Sequence, residues 1–167
     1  MADRAGGAGD LWSFALKVYG AADVSASCLA LQDRFGADVP VLLTALWMAQ
    51  RGVRLDASGM AEIERRIGPW RTEMVAPLRA LRRRLKSDPP LPPSEETEAL
   101  RTDIKRAELY AEKIELATLA GWVDAMSGWD GHGGFRENLA VAMAHYAGDA
   151  DVPEALQFPL LAAAEAA

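Results

Sequence analysis

A chain of 167 residues, 50% hydrophobic and 25% charged, has the composition of a folded globular domain and excludes a disordered one. Its net charge of −6 argues against nucleic acid as the main partner. The lone cysteine, Cys28, excludes an intrachain disulfide and fits a reducing compartment. The longest apolar run, Val39 to Ala49, falls short of the roughly 20 residues that span a bilayer. The first nine residues lack the apolar stretch of a secretory signal, so a cytoplasmic protein without a membrane role is expected.

In chain order, Asp10 suits an N-cap, followed by Trp12, Ala15, Leu16 and Tyr19 at helical spacing up to Gly20. Val24, Cys28, Leu31 and Phe35 then form one face of a helix that Gly36 stops. Asp38 is placed to cap a third helix with Pro40 in its first turn. Leu42, Leu43, Leu46 and Trp47 form its inner face, and Gly52 ends it. Asp56 or Ser58 starts a fourth, carrying Met60, Ile63 and Ile67.

Gly68-Pro69 predicts a break, and then a fifth helix with Trp70, Met74, Leu78, Leu81 and Leu85 along one side and a kink at Pro77. The prolines between Ser87 and Pro93 make a stiff linker. Ser94 caps a long helix, with Glu95, Glu96 and Glu98 where the helix dipole favours negative charge. Its apolar seam is Leu100, Ile104, Ala107, Ala111 and Ile114, running on to about Met126.

No run alternates as a strand does, and no internal repeat is present. The expected fold is all-α: an irregular bundle of about six helices over residues 10–126, after a flexible N-terminus at 1–9. A glycine-rich loop at 127–134 leads to a small helical extension at 135–167.

One order of blocks is distinctive: Trp12 with Tyr19, Cys28-Leu-x-Leu-Gln-Asp33, Asp38-Val39, Leu42-Leu43, Trp47, Trp70, then Pro77-Leu-Arg-x-Leu-Arg82 with Leu85-Lys86. From near Leu11 to about Trp122 the chain resembles a family of small bacterial proteins known as a conserved domain of unknown function. That family usually has a polar residue where this chain has Pro40. The resemblance brings no catalytic residue, cofactor or partner with it.

The chemistry-bearing residues are few. Cys28 lies on an apolar stripe, where a thiol is buried and inert. Gln32 and Asp33 enter apolar surroundings; they either satisfy nearby groups or, with Trp12, Trp47 and Asp38, line a small-molecule pocket. His132 and His145 lack companions at ligand spacing, and the 127–134 loop has no lysine to hold a phosphate, so neither metal nor cofactor is expected. Glu108, Glu112 and Glu115 continue a mixed-sign stripe that reads as the water side of the long helix.

Arg79, Arg82, Arg83 and Lys86 form a basic stripe. A short linker folds the two helices into an antiparallel hairpin, placing Arg79 near Asp103 and Lys86 near Glu95 and Glu96. Arg82 and Arg83 are then left partly free for an acidic or phosphorylated partner. The reading from residues alone is a non-enzymatic binding or interaction protein. The alternatives are a small-molecule-binding or enzymatic pocket lined by Trp12, Gln32, Asp33 and Trp47, and a homo-oligomer assembled on the long helix.

Overall fold

A computed structural model of the chain describes residues 8–126 and 132–167. In order, α1 is Ala8–Tyr19, α2 Val24–Phe35, α3 Val39–Gln50, α4 Ala57–Trp70, α5 Ala76–Ser87, α6 Glu95–Ala125, α7 Phe135–Ala147 and α8 Glu154–Ala166. A π-helical turn, Arg71–Val75, joins α4 to α5. Among the described residues there is no strand, and the fold is an irregular all-α bundle. The expected N-terminal segment and glycine loop fall largely on residues 1–7 and 127–131, outside the described residues.

Local chemistry sets several helix ends. Gly36 closes α2 in the left-handed region at φ 67°, its N–H donating to the Gln32 carbonyl at 2.9 Å. Ser94 and Thr97 form a reciprocal capping box that starts α6. Two starts differ from expectation. α1 begins at Ala8, so Asp10 lies inside its first turn. Asp38 occupies the cap position of α3 but makes no side-chain cap bond: its Oδ2 accepts from Arg71, and its buried Oδ1 has no hydrogen-bond partner among the described residues.

Gly68-Pro69 does not break the chain's course: helical backbone continues from Ala57 to Ser87. Pro69 and Pro77 each remove an N–H, and the mismatch is absorbed between them by the π turn, closed by the Ala76 N–H donating to the Arg71 carbonyl. Wide turns of this kind recur at functional sites. This one begins at Arg71.

α3 is the centre of the bundle, with Pro40 to Ala49 buried throughout and α1, α6, α7 and α8 packed around it. The Thr44 hydroxyl donates to the Pro40 carbonyl, which satisfies it inside the core. α1 turns a different face inward than its spacing suggested: Leu11, Phe14, Ala15 and Val18 are buried, while Leu16 and Tyr19 are exposed. Both faces fit a 3.6-residue period, and packing on α3 and α6 selects one.

The expected C-terminal extension is part of the core. Leu139, Met143, Leu160 and Leu161 join the same buried cluster as α3. Asn138 is fully buried; it accepts from the Leu55 N–H and donates to the Ala45 and Val53 carbonyls, tying α7 to the α3–α4 connection. Gly133 makes that approach possible, since a Cβ there would lie 2.5 Å from the Val53 carbonyl oxygen.

Cys28 is fully buried, and burial pushes its thiol up to about 12. A thiol reagent is expected to label native protein only at the rate of unfolding. Equal rates in native and denatured protein would show that α2 does not enclose it.

Among the described residues no single helix is long and apolar enough to cross a membrane.

Candidate functional site

A cleft of about 370 Å³ opens between the C-terminal end of α2, the corner leading into α3, and the π turn with α5. Gln32, Asp33 and Asp38 stand on one side; Arg71, Thr72, Arg79 and Arg83 stand on the other. Its position follows from local structure. Gly36 turns the chain sharply enough to bring Asp33 and Asp38 to one corner, and the π turn aims Arg71 at that corner.

Arg71 organises the floor. Its Nη1 donates to Asp38 Oδ2 at 3.0 Å, to Glu64 Oε1 at 3.1 Å and to the Tyr146 hydroxyl at 3.3 Å, while Nη2 also binds Glu64. The Tyr146 hydroxyl donates to Glu64 at 2.9 Å, and His145 Nε2 lies 3.4 Å from the same carboxylate. Burial would raise Glu64, but the Arg71 hydrogen bonds and charge outweigh it and hold the group below its ordinary value. Burial, then Asp38 and Glu64, push the Tyr146 phenol up, so it stays protonated as a donor.

Behind the cleft, Arg79 donates to Glu108 at 3.0 Å and to Glu112 at 2.7 Å, and Arg82 clasps both oxygens of Glu108 at 2.5 and 3.2 Å. The glutamates expected on the water side are therefore inside: Glu108 and Glu115 are buried, and Glu112 is half-buried. Burial acts to raise Glu108, yet the two arginines hold it below its ordinary value. Burial pushes Glu112 up, against the pull of Arg79 and with the help of Glu108.

Glu115 is different. It is fully buried, and neither of its oxygens has a hydrogen-bond partner among the described residues. Burial first, then the charges of Asp38 and Glu112, push its carboxyl up to about 9. Arg71, Arg79 and Arg82 face five carboxyl groups here, those of Asp38, Glu64, Glu108, Glu112 and Glu115. Asp38 is also pushed up by burial, against the pull of its ion pair with Arg71. Glu115, with no such pair, is the member that holds a proton.

A larger concavity of about 630 Å³ lies beside Trp122 and Met126. Its charged groups are already engaged: Asp56 caps α4 through the Gly59 N–H, and Glu62 is clasped by Arg65 and Arg66. Among the described residues no three His, Cys, Asp or Glu side chains stand together as a metal site.

Residues 10–119 match the model of a family described as a protein of unknown function, DUF2390. The chain belongs to that family. No curated protein and no solved structure matches it. The matched span includes every cleft residue of this DUF2390 chain, and the network behind it apart from His145 and Tyr146.

The DUF2390 structure brings Gln32 and Asp33 to the cleft, but Trp12 and Trp47 are not among its walls. Trp47 is fully buried in α3 with Arg51 stacked 4.5 Å from its ring, and Trp12 packs under Lys113 at 4.8 Å. Of the basic stripe, Arg79 and Arg83 line the cleft, and Arg82 is spent on Glu108. Lys86 is exposed, with no ion pair among the described residues. The hairpin register also differs: Arg79 meets Glu108 and Glu112 rather than Asp103, so α5 lies further along α6 than the linker length suggested.

Asp38, Glu64, Arg71 and Glu115 carry the network; periodicity gave Glu64 and Arg71 no role and assigned Glu115 to the water side. Asp38 carried a signal toward the site, as a cap residue and as a carboxylate near Asp33.

Proposed function

We propose that this DUF2390 protein is a non-catalytic cytoplasmic binding protein that seats an acidic or phosphorylated group of a partner in the cleft between α2 and α5. One observation carries the reading: Arg71, Arg79 and Arg83 line a single cleft together with the Gln32 amide. Guanidinium groups there can donate paired hydrogen bonds to a carboxylate or phosphate. Arg71 and Arg79 are held rigid by buried carboxylates, which fixes their donors in place. Among the described residues Arg83 is held only by Asp33, at 2.7 Å, in a pair that is nearly half exposed on both sides. Such pairs contribute only about 0–1 kcal/mol, so Arg83 exchanges partners at little cost. The buried, unreactive Cys28 supports a reducing compartment.

The test is calorimetric titration with a phosphoserine peptide and its unphosphorylated counterpart. Arg83→Ala is expected to weaken phosphopeptide binding roughly tenfold, and Asp33→Asn to strengthen it, with both effects shrinking at high salt. Arg136→Ala, on α7 and outside the cleft, serves as control. Free phosphoserine binding as tightly as the peptide would point to a small-molecule ligand seated by the same groups. Indifference of binding to Arg83 and Asp33 would overturn the reading.

A further inference from the structure

The helical stretch formed by the π turn and α5 has a second outward side. Thr72, Ala76, Arg79 and Arg83 border the cleft, but Met74 and Leu81 face away from it, 43% and 52% exposed. No residue of α5 is fully buried. The ion pairs of Arg79 and Arg82 with Glu108 set the register against α6. That register places Met74 level with Ile114, 38% exposed, and Leu81 level with the exposed Ala107. Leu100, 52% exposed, extends the row toward the hairpin's tip. Single exposed apolar side chains are ordinary, but a row along two packed helices marks a surface that another body covers.

The charges beside this row indicate which body. Glu73 lies at the base of the hairpin and Arg84 toward its tip, about three turns apart on the same side of the helix. Both are exposed, and neither has an ion-pair partner among the described residues. An acidic helix laid along the row would be repelled at Glu73, and a basic one at Arg84. A second copy running antiparallel meets neither problem: each Arg84 lies against Glu73 of the other copy, and each Leu81 lies near the other copy's Met74. That is the self-complementarity an isologous interface requires.

We propose that the outer α5–α6 face is a two-fold self-association surface, occupied by a second copy of this chain packed antiparallel along α5. The helical stretch Arg71 to Ser87 is about 25 Å long and the helix pair about 20 Å wide, so the contact buries on the order of 1,000 Å² in total. This is the lower end for a specific interface, and the dimer is accordingly weak and concentration-dependent. Glu73, Leu81 and Arg84 do not line the cleft, so this inference and the binding reading stand or fall separately.

The test is sedimentation velocity of the full chain from micromolar to millimolar concentration. A reversible monomer–dimer equilibrium is expected. Glu73→Arg and Arg84→Glu should each raise the dissociation constant roughly tenfold, and the double exchange should restore it. Leu81→Lys should abolish the dimer. Melting curves check folding, and if Leu81→Lys melts early the charge-exchange cycle alone decides. A monomer at every concentration overturns the proposal and leaves the face to a different protein. A dimer indifferent to these variants, or one the double exchange fails to restore, overturns it as well.

Discussion

Trp47→Ala is expected to destabilise the protein by about 3–5 kcal/mol, a large part of the roughly 5–15 kcal/mol that holds a domain together. Trp47 is fully buried at the centre of α3, the helix around which α1, α6, α7 and α8 pack. Removing the indole empties a space whose walls belong to several helices, and they cannot all move inward together. The loss reaches beyond the core, because Arg51 stacks on that ring while bonded to Asp124 of α6 at 3.0 Å. Urea unfolding followed by circular dichroism measures the effect. A change below about 0.5 kcal/mol, within the range of surface substitutions, would show that the indole is not packed as described.

Glu115→Gln should do the opposite and stabilise the protein at neutral pH. In the unfolded chain the carboxyl titrates at its ordinary value of 4.5, whereas in the fold it is pushed up to about 9. Between those values the folded state binds more protons than the unfolded one, so its contribution to stability is complete below about pH 4.5 and drains away as pH rises toward about 9. At about 1.4 kcal/mol per pH unit, the amount lost by pH 7 is about 3 kcal/mol.

Glutamine keeps the shape and has no proton to lose. The variant should therefore match the parent near pH 4 and exceed it by up to about 3 kcal/mol at pH 7. The charged groups acting on the site are Asp38, Glu112, Arg71 and Arg79, all retained in the variant, so the difference between the two proteins isolates Glu115. Unfolding curves at pH 4, 7 and 9 decide it. A Glu115→Gln protein that is weaker than the parent at pH 7 would mean that Glu115 is ionised and held by the arginines.

The two largest misreadings in the sequence share one origin. Glu108, Glu112 and Glu115 sit opposite an apolar seam, and periodicity alone assigns such a stripe to water. In the fold Arg79 and Arg82 reach Glu108 and Glu112 from another helix, which makes their burial tolerable, and Glu115 enters as a neutral acid. The apolar seam of α6 was likewise legible as a stripe, yet Leu100, Ala107 and Ile114 stay exposed, and of its five residues only Ala111 is buried. Hydrophobic spacing shows which residues can share a face. It does not show whether anything is there to cover that face.

What the sequence by itself determined is the all-helical class, the end of α2 at Gly36, the start of α6 at Ser94, the buried stripe of Cys28 and Leu31, and membership in a family without a known role. These rest on interactions within one or two turns, which neighbouring residues fully specify. Tertiary structure alone decided that Asp38 gives up capping for Arg71, that Arg82 closes on Glu108, and that Gln32, Asp33, Arg71, Arg79 and Arg83 share one cleft without Trp12 or Trp47. Each of these joins residues far apart in the chain. Their energies depend on burial and on partners that exist only once the helices have packed.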